Sequence, residues 1–350
     1  MVARSRVVAP GSSLCDDCPI GTSPAYRVPV TAAPVVDDFS HEAFFYADLG
    51  EFLDQACGFV RDGLERDEAV LVATGGERLA ALRQLFGSEP DVGLADMAEV
   101  GVNPARIIPL WREFLDDNAA AGRAVRGIGE PIWAGRSDAE LAECHQHEAL
   151  LNVAFGDGPG WRLLCPYDVT ALPPDVVQQA RGTHPLLLEG GRFASSDVYH
   201  REAGRRALRH WPLPPAPDTA APVGFGAGDL AGVRRQVLAL CLAEGLGPDR
   251  ADDLVLCADE LAANSLLHGG GRGELRLWRD HDAVVCEVSD AGTIDDPLAG
   301  RRAPSLDRIG GRGLWLANQL CDLVQVRSGA AGTVVRLHMC LGSSQPAPSA

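Results

Sequence analysis

The 350-residue chain has no lysine: all 31 of its basic residues are arginine. That absence excludes a Walker A phosphate loop, whose lysine reaches the β- and γ-phosphates, and it excludes Schiff-base chemistry. The chain also lacks any run of basic residues. With a formal net charge of −17, neither DNA nor an anionic membrane is expected as its main partner, because phosphate binding needs a basic face. No apolar run approaches the ~20 residues that span a bilayer. The opening MVARSRVVAPGSSL has no continuous apolar core of the signal-peptide kind, so a cytoplasmic location is expected. The ten cysteines are scattered, mostly in apolar runs, and read as reduced and buried rather than as a disulfide framework. Cys15 and Cys18 form a CxxC without a second pair, which is weak support for zinc.

A hydrophobic content of 46% is globular, and the length favours two domains. Residues 1–37 are rich in Pro, Ala and Ser and are expected to be flexible. Over 38–186, strand-like and helix-like segments alternate. EAFFYA, AVLVAT, a short strand in AVRGIGEPIW, and WRLLCPYD read as strands. EFLDQACGFVRDGL, GERLAALRQLF, PARIIPLWREFLDDNAAAG, SDAELAECHQHEALLNVAFG and PPDVVQQARG read as helices. Ser137 with Glu140 three residues on is a helix-capping signature. Such alternation implies a doubly wound parallel α/β sheet. The span 187–224 is expected to hold a polar, Arg-rich helix and then a stiff Pro/Ala linker, WPLPPAPDTAAPVG. From 225 to 340 the order helix, helix, hairpin, helix, hairpin predicts an antiparallel sheet with helices on one face. Residues 341–350 read as a disordered tail.

The chemistry concentrates in this second unit. Within LVLCADELAANSLLHGGG, Glu260, Asn264 and His268 recur every four residues and project from nearly one side of a helix. Carboxylate and carboxamide oxygens are hard ligands suited to Mg²⁺, and a carboxylate there can also take a proton from a nucleophile. Asp290-Ala291-Gly292 ends an alternating strand, where an acid can accept from an exocyclic amine while glycine lets a flat ring approach. GGRGL, Gly310 to Leu314, opens a helix whose backbone N–H groups can meet phosphate oxygens.

In this order and spacing, with Gly332-Thr333 in the closing hairpin, these motifs resemble the GHKL (Bergerat) ATP-binding fold. Within it, the anti-sigma-factor serine/threonine kinases are most similar. The resemblance implies an α/β sandwich that binds ATP and Mg²⁺, with Glu260 as the base that activates the acceptor hydroxyl and Asn264 as the Mg²⁺ ligand. It further implies Asp290 on the adenine amino group, Gly292 at its close approach, and Gly311 and Gly313 beside the triphosphate. His268, Arg312, Leu314 and Thr333 complete the implied nucleotide site, and residues 293–309 would form its lid. Ile294 departs from the glycine that many relatives carry there.

The first unit resembles the MEDS sensory domain through HEAFFYADLGEFLDQACGFVRDGLERDEAVLVAT, GEPIW, EALLNVAF and LLCPYDVTALPPDVV. It is expected to be RecA-like without Walker A, with its ligand at the carboxyl ends of the strands. His41, Glu130, Trp133, Tyr167 and Asp168 are the sensory ligand candidates, and Glu148, Asn152 and His184 also match the family's pattern. Cys144 and His147 in CHQH share a helix face, but two ligands do not make a metal site.

The resemblance therefore implies a regulator with a small-molecule or partner sensor, partnered by an anti-anti-sigma (STAS-type) protein, a sigma factor, or both. Kinases of this type often dimerise through the ATP domain, so a homodimer is one expectation. Two alternatives stand beside it: a sensor histidine kinase using His200, and a non-catalytic, nucleotide-gated module that sequesters a sigma factor.

Overall fold

The computed structural model describes residues 38–210, 212–304 and 311–342. The segment 1–37 with Cys15 and Cys18, Gly310, residues 305–309 of the expected lid and the tail from 343 lie outside the described residues.

In the first domain the chain runs β1 (Ser40–Tyr46), α1 (Leu49–Glu65), β2 (Ala69–Thr74), α2 (Gly76–Phe86), β3 (Val92–Asp96) and the single turn α3 (Met97–Val100). It continues through α4 (Ile107–Ala120), β4 (Val125–Gly129), α5 (Asp138–Phe155), β5 (Arg162–Asp168) and α6 (Pro174–Thr183), then a hairpin of β6 (Leu186–Glu189) and β7 (Arg192–Ser195). The sheet order is β3-β2-β4-β5-β1-β6-β7, parallel except for the edge strand β7. This is the doubly wound sheet that the alternation implies. Phe44, Tyr46, Val70 and Val72 pack on α1 and α2 on one face. Ala43, Leu71, Ala73, Leu163 and Cys165 pack on the α4 and α5 side.

Local signals explain the helices. Asp48 caps α1 by accepting from the Glu51 N–H at 2.9 Å, and Ser137 and Glu140 form the reciprocal capping box of α5. Pro109 falls in the first turn of α4, where its missing N–H costs little. Helix α5 is buried without a break from Glu143 to Leu151, so it has no solvent face and no clear amphipathic period.

The Arg-rich stretch after Ser195 is not the long helix expected from its composition. It runs as turns to a 3-10 turn at Gly204–Arg206 and the short α7 (Ala207–His210). The reason is packing: the segment offers no apolar stripe, and Gly204 lies so close to α5 that a Cβ there would sit 2.3 Å from the Ala149 carbonyl oxygen.

The second domain has one more strand than the sequence pattern suggests. The chain follows β8 (Val223–Gly226), α8 (Leu230–Ala243), α9 (Pro248–His268), β9 (Arg272–Asp280), β10 (Ala283–Asp290), α10 (Gly313–Leu320), β11 (Leu323–Gly329) and β12 (Gly332–Cys340). They make an antiparallel sheet ordered β11-β12-β10-β9-β8. Val284, Cys286 and Val288 join the three helices in one core, while Val285 and Glu287 face the other way. There the Pro/Ala linker lies along the sheet: Arg336 donates to the Pro214 carbonyl and Arg276 to the Ala220 carbonyl, both at 2.9 Å. Ala216 and Ala220 pack on Trp278 and Val285. The linker then pairs as β8 with β9, an edge too short and Gly-rich to announce itself by alternation. No helix of the described residues is long and apolar enough to cross a membrane.

Among the described residues the two domains meet at two places. Arg106 donates to the carbonyls of Asn318 (2.7 Å) and Cys321 (2.9 Å), satisfying acceptors that α10 leaves open at its C-terminus. Asn103 adds a bond to Asn318 Oδ1 at 3.2 Å. The second contact is ionic. Glu143 of α5 pairs with Arg327 at 2.7 Å and Arg301 at 3.5 Å, and Leu298 joins the first domain's own core.

Within the first domain, Gly127 on β4 leaves room for the Trp111 ring, which would lie 2.6 Å from an added Cβ. Overpacking a filled core typically costs about 1–3 kcal/mol, so Gly127→Ala is expected to lower the thermal midpoint measurably. An unchanged midpoint in calorimetry would show that Trp111 has space to move.

Candidate functional site

Helix α9 ends at His268, and Gly270 and Gly271 both take positive φ (87° and 79°), a backbone that turns the chain back into β9. Gly269 approaches the end of β10 so closely that a Cβ would fall 2.4 Å from Asp290 Cγ. The glycines after the helix thus serve to bring its C-terminal end against the strand-end acid. Asp290 is held by two donors: Ser265 Oγ–H at 2.6 Å and the Gly292 N–H at 2.7 Å. The sequence pattern does not single out Ser265, although it stands one residue after Asn264.

Beyond Asp290 the chain is fixed by a relay. Thr333 Oγ1 donates to the Gly292 carbonyl at 2.8 Å and lies 2.8 Å from Ser328 Oγ. Ser328 Oγ in turn accepts from the Ile294 N–H at 2.7 Å. Ile294 packs toward the second domain's core and also lines the cavity beside it.

These elements surround a cavity of about 620 Å³ lined by Asn264, Ser265, His268, Asp290, Gly292, Gly311, Gly313, Leu314 and Thr333, with Arg302 from the segment after β10. Glu260 does not line that cavity; it lies beside it, its carboxylate 3.3 Å from where a Gly313 Cβ would be. The Asn264 amide nitrogen would be 2.9 Å from the same Cβ, so glycine at 313 is what allows the start of α10 to approach α9. Arg312 is exposed at the helix start and is not part of the cavity wall. Arg302, half-exposed and 3.5 Å from Asp296, is a cationic side chain at this cavity that no motif identifies.

In the first domain the sensory candidates do not form one site. Glu130 receives hydrogen bonds from Tyr46 (2.7 Å), Arg78 (2.9 Å) and Thr74 at the carboxyl ends of β1, β2 and β4. Burial raises its carboxyl, opposed by the Arg78 guanidinium. Asp168 accepts from Thr170 and Ala171 in a local turn. Trp133 is covered by Arg136, whose guanidinium carbon is 3.6 Å from the ring centroid. His41 and Tyr167 lie elsewhere, on the α5 side with Glu148 and His184. Burial, reinforced by His184, pushes His41 down to about 4, so its imidazole is neutral at neutral pH. Cys144, His145 and His147 are buried, and the Cys144 thiol contacts the Pro131 carbonyl. His200 is exposed in a turn, with no helix around it.

Comparison with known proteins identifies both halves. Residues 227–339 match the family described as histidine kinase-like ATPase domain, so the second domain is an ATPase domain of the histidine kinase-like kind. Residues 40–185 match the MEthanogen/methylotroph, DcmR Sensory domain; the chain is a MEDS domain followed by that ATPase domain. A solved structure similar to part of it is that of the RsbU and RsbW domains of Rv1364c from Mycobacterium tuberculosis, at 20% identity and a TM-score of 0.26. The match covers 34% of this chain and 32% of that one, so the present chain spans about a third of that protein's length. No curated protein matches.

The inner boundary of the cavity is tied to the first domain. Leu298, Ala299 and Gly300 line the cavity, Asn318 Nδ2 donates to the Gly300 carbonyl at 2.9 Å, and Arg301 follows directly, buried against Glu143. Glu143→Gln removes the anion that two buried guanidiniums share. Breaking a buried pair costs about 3–5 kcal/mol, so this variant is expected to show a lowered unfolding midpoint and faster proteolysis between residues 293 and 304. Equal proteolysis rates for variant and wild type would show that Glu143 does not restrain the loop.

Proposed function

We propose that this chain is a signal-responsive regulator whose second domain binds Mg·ATP and phosphorylates a serine or threonine of an anti-anti-sigma protein, and so governs a sigma factor. One arrangement supports the reading above all. Asp290, oriented by Ser265 and the Gly292 amide, lines the same cavity as Asn264 and the glycine-led start of α10.

That set of groups suits a nucleotide. Asp290 would accept from the adenine amino group. The N-terminal amides of α10 and the backbone at Gly311 would face the phosphates, where free N–H groups and the helix dipole favour negative charge. Arg302 and His268 add donors. Asn264 supplies one hard oxygen of the kind Mg²⁺ takes alongside water and phosphate oxygens. Glu260, next to Gly313, would take the proton of the acceptor hydroxyl as its oxygen bonds to the γ-phosphorus and the bond to the ADP oxygen breaks.

The MEDS domain would supply the signal, a small molecule or a partner. Its route to the nucleotide is α5, whose Glu143 holds Arg301 at the base of the lid segment. A ligand moves such an equilibrium only by its differential affinity for the two positions of α5.

The position of Glu260 off the cavity wall favours one second reading: nucleotide-gated sequestration of a sigma factor without transfer. Two measurements separate these. Asp290→Ala is expected to weaken ATP binding by about 10- to 100-fold, the worth of a hydrogen bond to a charged group, in titration calorimetry; unchanged affinity would remove Asp290 from the site. Glu260→Gln is expected to leave ATP affinity nearly unchanged and slow transfer from labelled ATP to the partner protein by about 10²- to 10⁴-fold. Equal transfer by both proteins refutes the assignment of the base, and no transfer by either supports sequestration.

A further inference from the structure

The first domain carries a second chemical centre, independent of the nucleotide cavity. His41 of β1, Glu148 of α5, Cys165 of β5 and His184 at the end of α6 meet with all their donor atoms within 4.8 Å of one another. None is more than 1% exposed. His41 Nε2 is 3.0 Å from Glu148 Oε2 and 3.4 Å from Cys165 Sγ, and His184 Nε2 is 3.2 Å from the same carboxylate oxygen.

The tautomers follow from the outer partners. Asn152 gives its NH₂ to the Thr183 carbonyl at 2.9 Å, which can only accept, so its Oδ1 faces His41 Nδ1 at 3.3 Å. His41 must then carry its hydrogen on Nδ1. His184 Nδ1 is 2.8 Å from the Ala180 carbonyl, so it too is the protonated nitrogen. Each imidazole therefore turns its Nε2 inward, toward a carboxylate that only accepts. Two imidazole nitrogens, a carboxylate and a sulfur converge with only the Cys165 thiol and the Tyr167 hydroxyl beside Glu148 to supply further hydrogens, and Glu148 Oε1 has no hydrogen-bond partner among the described residues.

We propose that His41, Glu148, Cys165 and His184 bind one zinc-class divalent cation in a closed tetrahedral site. With metal–nitrogen and metal–oxygen bonds of about 2.0–2.2 Å and metal–sulfur of about 2.3 Å, tetrahedral donors lie about 3.3–3.6 Å apart; three donor pairs here are 3.0, 3.2 and 3.4 Å apart, and all lie within 4.8 Å. The Nδ1–H bonds to Asn152 and Ala180 are the outer hydrogen bonds that orient metal-bound histidines. An N₂OS set suits borderline Zn²⁺ better than Mg²⁺ or Ca²⁺. On binding, the Cys165 thiol gives its proton to solvent as the metal–sulfur bond forms. With all four positions filled by protein, the ion is structural or regulatory rather than catalytic. Its carboxylate ligand sits on the same buried helix as Glu143, so occupancy bears on the helix that reaches the ATPase domain.

The test uses the full chain, freed of metal by chelator and reloaded with Zn²⁺ or Co²⁺. One equivalent is expected to bind, raise the thermal midpoint, and with Co²⁺ give a thiolate charge-transfer band. X-ray absorption of the wild-type zinc protein should show one sulfur and three nitrogen or oxygen neighbours, a reading that needs no variant to fold. Cys165→Ser and His184→Ala should lose the band, the Cys15→Ser/Cys18→Ser double variant should keep it, and Asn152→Ala should weaken binding by about 10- to 100-fold. Absence of tight binding, a shell without sulfur or with two sulfurs, or loss of the band on removing Cys15 and Cys18 would each overturn the proposal.

Discussion

The buried meeting of Glu143 with Arg301 and Arg327 is the constraint on which the rest of the molecule depends. A carboxylate 1% exposed is tolerable only when its charge is answered at close range, because desolvation otherwise costs several kcal/mol. The answer comes from the other domain, from the base of the loop beside the cavity and from the edge strand β11. The cluster therefore specifies which faces of the two domains meet, and it makes α5 a common wall. Leu298, in the first domain's core although it lies between β10 and α10, is the apolar part of the same joint.

How the sheet of the second domain is covered follows from that joint. One face holds an ordinary apolar core against α8, α9 and α10. The other carries Glu287, Gln325, Arg327 and Arg336, all buried, which is unusual for residues of these kinds. They are accommodated because partners are supplied: Arg336 forms two bonds to Glu287, at 2.6 and 3.0 Å, and the linker lends its carbonyls. A segment whose composition reads as a spacer thus acts as a lining. Proline suits that role, since it stays extended and leaves carbonyls free to accept.

Much of this was legible in the sequence, and the failures have physical causes. The doubly wound sheet shows in the alternation of apolar strands with helical stripes, and the ATPase fold in the order of α9, Asp290 and the glycine-led α10. Periodicity failed where tertiary contacts replaced it. β8 is four residues long, and its only buried side chain is Phe225. The Arg-rich segment was drawn out by its contact with α5. Within the cavity, the acid and the glycines are identifiable from motif spacing, whereas Ser265, Ser328 and Arg302 are not, because serines and arginines are common and only three-dimensional proximity marks them. The convergence of His41, Glu148, Cys165 and His184 is least visible of all. Those residues are spread over four elements, and the one recognisable local cluster, CHQH, points to its neighbours instead.

The strand order has a consequence for how the polypeptide is made. β1 emerges first, yet it lies between β5 and β6, in register from Ser40 with Arg162 to Tyr46 with Asp168. A ribosome must therefore release nearly the whole first domain before its earliest strand finds a neighbour, and pairing this distant along the chain is slow and leaves apolar edges open meanwhile. The nascent chain spends that interval with Phe44, Phe45 and Tyr46 unpaired, so it is a natural client for a holding chaperone.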